Sequence, residues 1–216
     1  MAEQIRRVAV WSGWLRLVHW AIAGATLVLM ATGWLVAETP SVADAAADVH
    51  YLAASLLLFG LAVRLFLGFF GSGAERFEHM LPTGSEWDAI KGSALFYLTF
   101  GRAPRPNWFA HNPLWKPLYL VLLLALAASA LSGWLMGDVP ILGPLYLPGV
   151  HVWLAGLIGV LVLAHVYSVA LQDAKGQTAD ISAMLNGHRY FSVDRNAPAK
   201  PEIPQVSIRL DDIRRD

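Results

Sequence analysis

The chain has 216 residues, 56% hydrophobic and 15% charged, where soluble domains carry about 25% charged residues; with a mean hydropathy of +0.48 it reads as a membrane protein. Sixteen Lys and Arg balance sixteen Asp and Glu, so the overall charge points to neither a nucleic-acid partner nor an acidic substrate. The absence of cysteine excludes disulfides, thiolate iron-sulfur ligation, a thiolate nucleophile and the C-x-x-C-H attachment of a c-type haem, leaving His, Met and carboxylates as metal ligands.

The first apolar run, Trp14 to Ala37, follows Arg6 and Arg7. At about 24 residues it exceeds the roughly 7 to 15 of a signal-peptide core and predicts a retained span. A short connection without Lys or Arg, Glu38 to Asp48, leads to a second span over Val49 to Phe70. The next connection, Gly71 to Pro117, is long and carries Arg76, Lys91, Arg102, Arg105 and Lys116. Within it, Ser85 to Phe100 opens on an N-cap residue and places Trp87, Ile90, Leu95, Phe96 and Leu98 in the pattern of an interfacial amphipathic helix. A third span covers Leu118 to Met136 and a fourth Val150 to Leu171, joined by Gly137 to Gly149, again without Lys or Arg. Asp180 to Asn186 predicts a short helix stopped by Gly187, and the stretch from Asn196 is Pro-rich. No internal repeat is evident. The expected fold is all-α, an integral membrane four-helix bundle over residues 1–190 with an extended tail over 191–216.

All sixteen basic residues fall on one side of these spans or in the adjoining helix ends. The positive-inside rule makes that side, and with it both termini, cytoplasmic. Trp11, Trp14, Trp20 and Trp115 then form an inner aromatic belt and Trp34, Trp134 and Trp153 an outer one.

Ionisable groups inside a span are costly and mark function. Four of the seven histidines qualify: His19 about one turn into the first span, His50 opening the second, and His151 and His165 on the fourth. Because the first span runs outward and the fourth inward, His19 and His165 share the cytoplasmic depth and His50 and His151 the outer one. Fourteen residues separate His151 from His165, which is four turns less about 40° and about 21 Å of rise, so both face one way at opposite depths. Two depth-matched pairs suit two stacked haems, each iron taking an axial imidazole from each of two helices. The competing readings are a metal transporter using the pairs as relay sites, weakened because the spans lack Asp and Glu, and a plain membrane anchor.

Gly33, fourteen positions after His19, is expected at the outer haem slot, and Gly24, Gly60, Gly68 and Gly133 could allow close approach or simply helix packing. Arg16, one turn before His19, and Arg64, deep in the second span, are candidates to meet haem propionates, with snorkelling favoured for Arg16. His79 and His188 read as surface residues. His111, Asn112, Gln172 and Asp173 gather at the depth of the inner haem and form a candidate quinone site, since a quinone needs hydrogen-bond donors and a proton source at its carbonyls. The plain alternative is helix capping by Asn112 and Asp173.

Taken in order, Trp14-Leu15-Arg16-Leu17-Val18-His19-Trp20, Thr32-Gly33-Trp34, His50, Arg64-Leu65-Phe66-Leu67-Gly68, His111-Asn112-Pro113, Ser132-Gly133-Trp134, and His151 with His165 resemble the bacterial cytochrome b-561 and nickel-iron hydrogenase b-type cytochrome group, which includes the gamma subunit of respiratory formate dehydrogenase. The resemblance implies a protein of the bacterial inner membrane with haem b ligation by His19 with His165 and by His50 with His151. It also implies a quinone site near the inner haem that includes Asn112. The expected function is electron transfer between a periplasmic redox protein, such as a hydrogenase or a c-type cytochrome, and the quinone pool. A stand-alone quinone oxidoreductase using a small diffusible donor is the alternative.

Overall fold

The computed structural model describes residues 4–176 and 179–193. In chain order these form β1 (Gln4–Ala9), α1 (Gly13–Glu38), α2 (Ala43–Phe70), α3 (Trp87–Leu98), α4 (Trp115–Leu135), β2 (Ile141–Leu142), β3 (Leu145–Tyr146), α5 (Leu147–Lys175), α6 (Asp180–Asn186) and β4 (His188–Val193). Among the described residues four helices, α1, α2, α4 and α5, are long and apolar enough to cross a membrane. Hydrocarbon offers the backbone no partners, so uninterrupted apolar runs of this length satisfy themselves as helices. Their ends follow local chemistry. The Ser12 hydroxyl accepts from the Leu15 amide at 3.1 Å to cap α1. Asp44 occupies the first turn of α2, where a negative charge meets the helix dipole, so the helix starts before the apolar run. Pro148, in the first turn of α5, gives up an amide that would have no helical partner there.

Between the spans lies a core of Ala25, Leu57, Ala125, Leu126 and Ile158, with Leu29, Leu61, Leu122 and Leu154 packed against it. Apolar burial drives little association inside lipid, so close van der Waals fit carries the packing. At Gly60 a Cβ would lie 2.9 Å from Ile22 Cγ1, so α1 and α2 meet at a distance that only glycine permits. Gly24 faces open space instead and serves no such contact.

The two ends of the bundle differ. At one, the antiparallel pair β2–β3 makes a small hairpin between α4 and α5. At the other, β1 pairs antiparallel with β4 from Gln4↔Val193 to Ala9↔His188. We call these the hairpin end and the sheet end. The long connection from Gly71 to Leu114 also lies at the sheet end, and includes two 3₁₀ turns with reciprocal capping boxes, Ser72 with Glu75 and Thr83 with Glu86.

Several expectations are corrected at the sheet end. The β1–β4 sheet is new to the all-α picture, and its residues 191–193 lie where an extended tail is expected; the Pro-rich stretch from Asn196 falls outside the described residues. Ser85 does not cap α3: Thr83 caps the preceding 3₁₀ turn, and α3 follows at Trp87. Trp115 is not a belt residue, because it is buried with Phe96 and Tyr97, whereas Trp14, Trp20, Trp34, Trp134 and Trp153 are exposed on the bundle. Arg189, on β4, is only 2% exposed. Its Nε lies 2.7 Å from Asp180 Oδ1, and its Nη1 donates to the carbonyls of Trp108 and Phe109 at 3.0 and 2.5 Å. This one guanidinium ties α6 and β4 to the loop that leads into α4.

Candidate functional site

The structure brings the four span histidines together as two pairs. His19 on α1 and His165 on α5 have ring centroids 6.3 Å apart at 63°, and His50 on α2 and His151 on α5 are 6.2 Å apart at 66°. The first pair lies toward the sheet end and the second toward the hairpin end. α5 is unbroken between its two ligands, so the pairs are separated by about 21 Å along it.

At the hairpin end both rings are held by hydroxyls. Thr32 Oγ1 donates its proton to the Val28 carbonyl at 2.7 Å, so toward His50 Nδ1, 2.9 Å away, it can only accept. The Nδ1 of His50 therefore carries the proton and Nε2 keeps its lone pair. His151 repeats the arrangement. Ser132 Oγ donates to the Ser129 carbonyl at 3.0 Å, and His151 Nδ1 lies 2.9 Å from that same carbonyl and 3.3 Å from Ser132 Oγ. Each ring also leans on a glycine. A Cβ at Gly33 would stand 3.4 Å from His50 Cε1, and one at Gly133 would stand 2.9 Å from His151 Cε1.

At the sheet end the surroundings are aromatic. Trp20 lies 5.1 Å from His19, and Trp115 and Tyr119 lie 5.3 and 5.8 Å from His165, all edge-on. His19 Nδ1, His165 Nδ1 and Trp115 Nε1 are buried without hydrogen-bond partners among the described residues.

Metal–imidazole bonds run about 2 Å, and with each nitrogen about 1.1 Å from its ring centre, two opposed imidazoles on one metal stand about 6.2 Å apart. Both pairs match. Among the described residues no group of three or more His, Asp or Glu could hold a metal ion, whereas a protein zinc site takes three or four such ligands. Two imidazoles from facing apolar helices are the protein donor set that a haem takes, its porphyrin supplying the other four bonds. The residues present fit that group.

The other candidates gather at the sheet end but do not form one cluster. Asn112 Nδ2 and Gln172 Nε2 both donate to the Tyr97 hydroxyl, and all three residues are buried. Burial, partly offset by these donors, raises the Tyr97 pKa to about 12. Asn112 Oδ1 also accepts from Leu114 N at 3.0 Å, in the turn that leads into α4. Asp173 points elsewhere, accepting from the Asp180 and Ile181 amides at 2.5 and 3.2 Å to start α6. The capping alternative is thus realised for Asp173, while Asn112 joins the turn before α4 to the Tyr97 hydroxyl.

His111 lines a cleft of about 460 Å³ with His79, Glu86, Trp108, Phe109 and Lys116. Burial, reinforced by the charges of Arg64 and Lys116, lowers its pKa to about 4, so it stays neutral at ordinary pH. Rings connect it inward: Tyr119 lies 6.0 Å from His111 and 5.8 Å from His165.

Both arginines make hydrogen bonds at the sheet end. Arg64 is buried, donating to the Glu75 carbonyl at 2.9 Å and the Met80 sulfur at 2.8 Å, and it pins the loop after α2. Arg16 donates to the carbonyls of Ser12 and Leu185, tying α1 to α6. His79 is exposed and His188 half-buried, the latter with its Nδ1 3.1 Å from Arg7 Nη2. Tyr97, Trp115, Thr32 and Ser132 were not singled out from sequence as site residues. The Ser/Thr-Gly-Trp triplet, present before both hairpin-end connections, was the available signal for the last two.

A bundle of membrane-capable helices with paired imidazoles that fit haem iron defines a membrane b-type cytochrome, an electron-transfer protein that binds haem b. The chain belongs to the prokaryotic cytochrome b561 family, whose sequence pattern matches residues 10–187. It is similar to the probable Ni/Fe-hydrogenase B-type cytochrome subunit of Cupriavidus necator, 24% identical over 88% of this chain and 89% of the relative. The proteins of the same description from Azotobacter chroococcum and Rhodobacter capsulatus are 26% and 22% identical, each over 89% of this chain and over 94% and 86% of the relative. No solved structure matches.

Proposed function

We propose that this protein is a di-haem cytochrome of the bacterial inner membrane, passing electrons from a redox partner at the hairpin end to quinone at the sheet end. The observation that carries the reading is the equal spacing of the two imidazole pairs, 6.3 and 6.2 Å, at opposite ends of one bundle. His19 and His165 would hold one haem b, and His50 and His151 the other. Bound there, haem supplies reversible one-electron redox chemistry. Arg16 and Arg64 bring positive charge to the sheet end, where haem propionates would need it. The basic residues make the sheet end, with both termini, cytoplasmic. An electron moving inward works against about 2.3 kcal/mol per charge per 100 mV of membrane potential.

The quinone would sit at the cleft by His111. Neutral His111 can donate or accept a hydrogen bond at a quinone carbonyl, and its ring contacts through Tyr119 lead to His165. Asn112 and Gln172 act from behind, through Tyr97. Asp173 belongs to this site only through its place beside Gln172, since its carboxylate is committed to α6. The names of the relatives favour a nickel-iron hydrogenase as the periplasmic partner, and the catalytic centre then resides in that partner. A second reading, a stand-alone quinone oxidoreductase fed by a small donor, is favoured by the short connections at the hairpin end, which offer little surface for a large protein.

The purified, reduced protein is expected to contain two haems b per chain and to fall to one in His19→Ala and in His50→Ala. A wild-type ratio of one, or a ratio untouched by either substitution, contradicts the proposal. Mild-detergent purification separates the two readings: a co-purifying hydrogenase supports the subunit, and quinone reduction by the isolated chain with a small donor supports the enzyme.

A further inference from the structure

The two Ser/Thr-Gly-Trp triplets occupy equivalent places: each lies near the hairpin end of the first helix of a helical hairpin, α1 before α2 and α4 before α5. Each presents a hydroxyl to a histidine Nδ1 on the following helix, and a glycine whose missing Cβ makes room for that ring. In both, the hydroxyl has already given its proton to a backbone carbonyl of its own helix. It is thereby fixed as an acceptor. The sheet-end ligands have nothing comparable, since neither Nδ1 finds a partner among the described residues.

We infer that Thr32 and Ser132 are positioning residues that polarise His50 and His151 and hold the hairpin-end haem at a lower reduction potential than the sheet-end haem. The inference rests on the di-haem reading above. An Nδ1–H that donates to an oxygen makes Nε2 a stronger donor to iron, and a more electron-rich ligand set favours the oxidised state. The charge distribution acts in the same direction. The hairpin-end connections carry Glu38, Asp44, Asp48 and Asp138 and no Lys or Arg, and negative charge stabilises the more positive oxidised centre. The sheet-end pair instead lies among aromatic rings, with Arg16 and Arg64 at its end of the bundle. With haem held by both histidine pairs, one electron passing from the His50–His151 site to the His19–His165 site would oxidise the first and reduce the second, with no bond or proton exchanged. That step then runs downhill toward the quinone end.

The test is an optical redox titration of the intact, haem-loaded protein in detergent. The wild type is expected to show two one-electron waves, and His50→Ala to lose the lower one. Thr32→Val, which keeps the shape and removes the hydroxyl, should raise the lower wave alone. The expected size is about a tenfold change in the oxidised-to-reduced ratio at fixed potential, or ~59 mV for one electron. Ser132→Ala should raise the same wave by less, because the Ser129 carbonyl still accepts from His151. Thr32→Ser should restore it. Loss of the upper wave in His50→Ala, an unmoved lower wave in Thr32→Val, or an equal shift in Thr32→Ser overturns the inference while leaving two haems in place. A single haem per wild-type chain overturns the underlying reading and the inference together.

Discussion

The two ends of the bundle hold their histidines by different means. At the hairpin end, hydroxyls and a carbonyl fix the imidazoles through Nδ1, and glycines clear the space beside them. At the sheet end, edge-on rings of Trp20, Trp115 and Tyr119 surround the pair, and α3, α6, three 3₁₀ turns and the β1–β4 sheet are built at that end. The first is a rigid, polarised site with short connections. The second is an apolar site under an elaborate cover that carries a cleft. This is the division expected where one end only receives electrons and the other must also bind a molecule and manage its protons.

Perturbing the cover should produce the largest loss of stability. Arg189→Met leaves the half-buried Asp180 with Arg105, 3.6 Å away, and breaking a buried pair costs about 3–5 kcal/mol. The low end of that range is expected in detergent unfolding, with the hairpin-end haem spectrum retained until the main transition. Spectral loss at the hairpin end first would erase the distinction between the two ends.

Tyr97→Phe comes next. It removes the shared acceptor of Asn112 and Gln172, leaving buried amides unpaired at a cost of about 1–3 kcal/mol, and quinone reduction should slow with hairpin-end spectra unchanged. Normal quinone kinetics in Tyr97→Phe would detach this trio from the quinone site. The glycines sharpen the other side of the comparison. Gly133→Ala places a methyl 2.9 Å from a His151 ring that hydrogen bonds hold in place, whereas Gly33→Ala meets His50 at 3.4 Å. Overpacking costs about 1–3 kcal/mol, so Gly133→Ala should weaken hairpin-end haem retention and Gly33→Ala should do so much less. Haem content after detergent washing reads the difference.

The smallest effect expected is in pH. The pKa of His111 is lowered from 6.5 to about 4, so between these values the unfolded chain binds a proton that the folded chain refuses. Stability is therefore lost as pH falls from 6.5 toward 4. His111→Phe should flatten that part of the profile measured by thermal unfolding, and an unchanged slope would assign the acid sensitivity elsewhere.

The spans were legible because length and hydropathy decide them, and the histidine pairs because helix direction converts sequence position into depth. The observed α1, α2, α4 and α5 extend the expected spans by a few residues at most of their ends, where polar first and last turns leave the apolar run. The short helix Asp180–Asn186 and its Gly187 stop were also legible, from local capping chemistry. The β1–β4 sheet was not. Its strands stand at opposite ends of the described chain, pairing Gln4 with Val193 and Ala9 with His188, and neither alternates strongly enough to announce a pairing. Arg189 was hidden for a related reason: a charged residue reads as surface until its partners, Asp180 and the carbonyls before α4, are brought to it by the fold. The capping residues Thr83 and Glu86 and the hydroxyls of Thr32 and Ser132 stood in readable patterns. Their roles depend on which face of the helix meets which neighbour, and spacing alone does not supply that.

The most direct measurement is an experimental density map of the haem-loaded protein. We expect two macrocycles, one between His19 and His165 and one between His50 and His151, about 21 Å apart along α5. A macrocycle at one end only, or one whose iron takes a ligand outside these four histidines, would contradict the two-site arrangement.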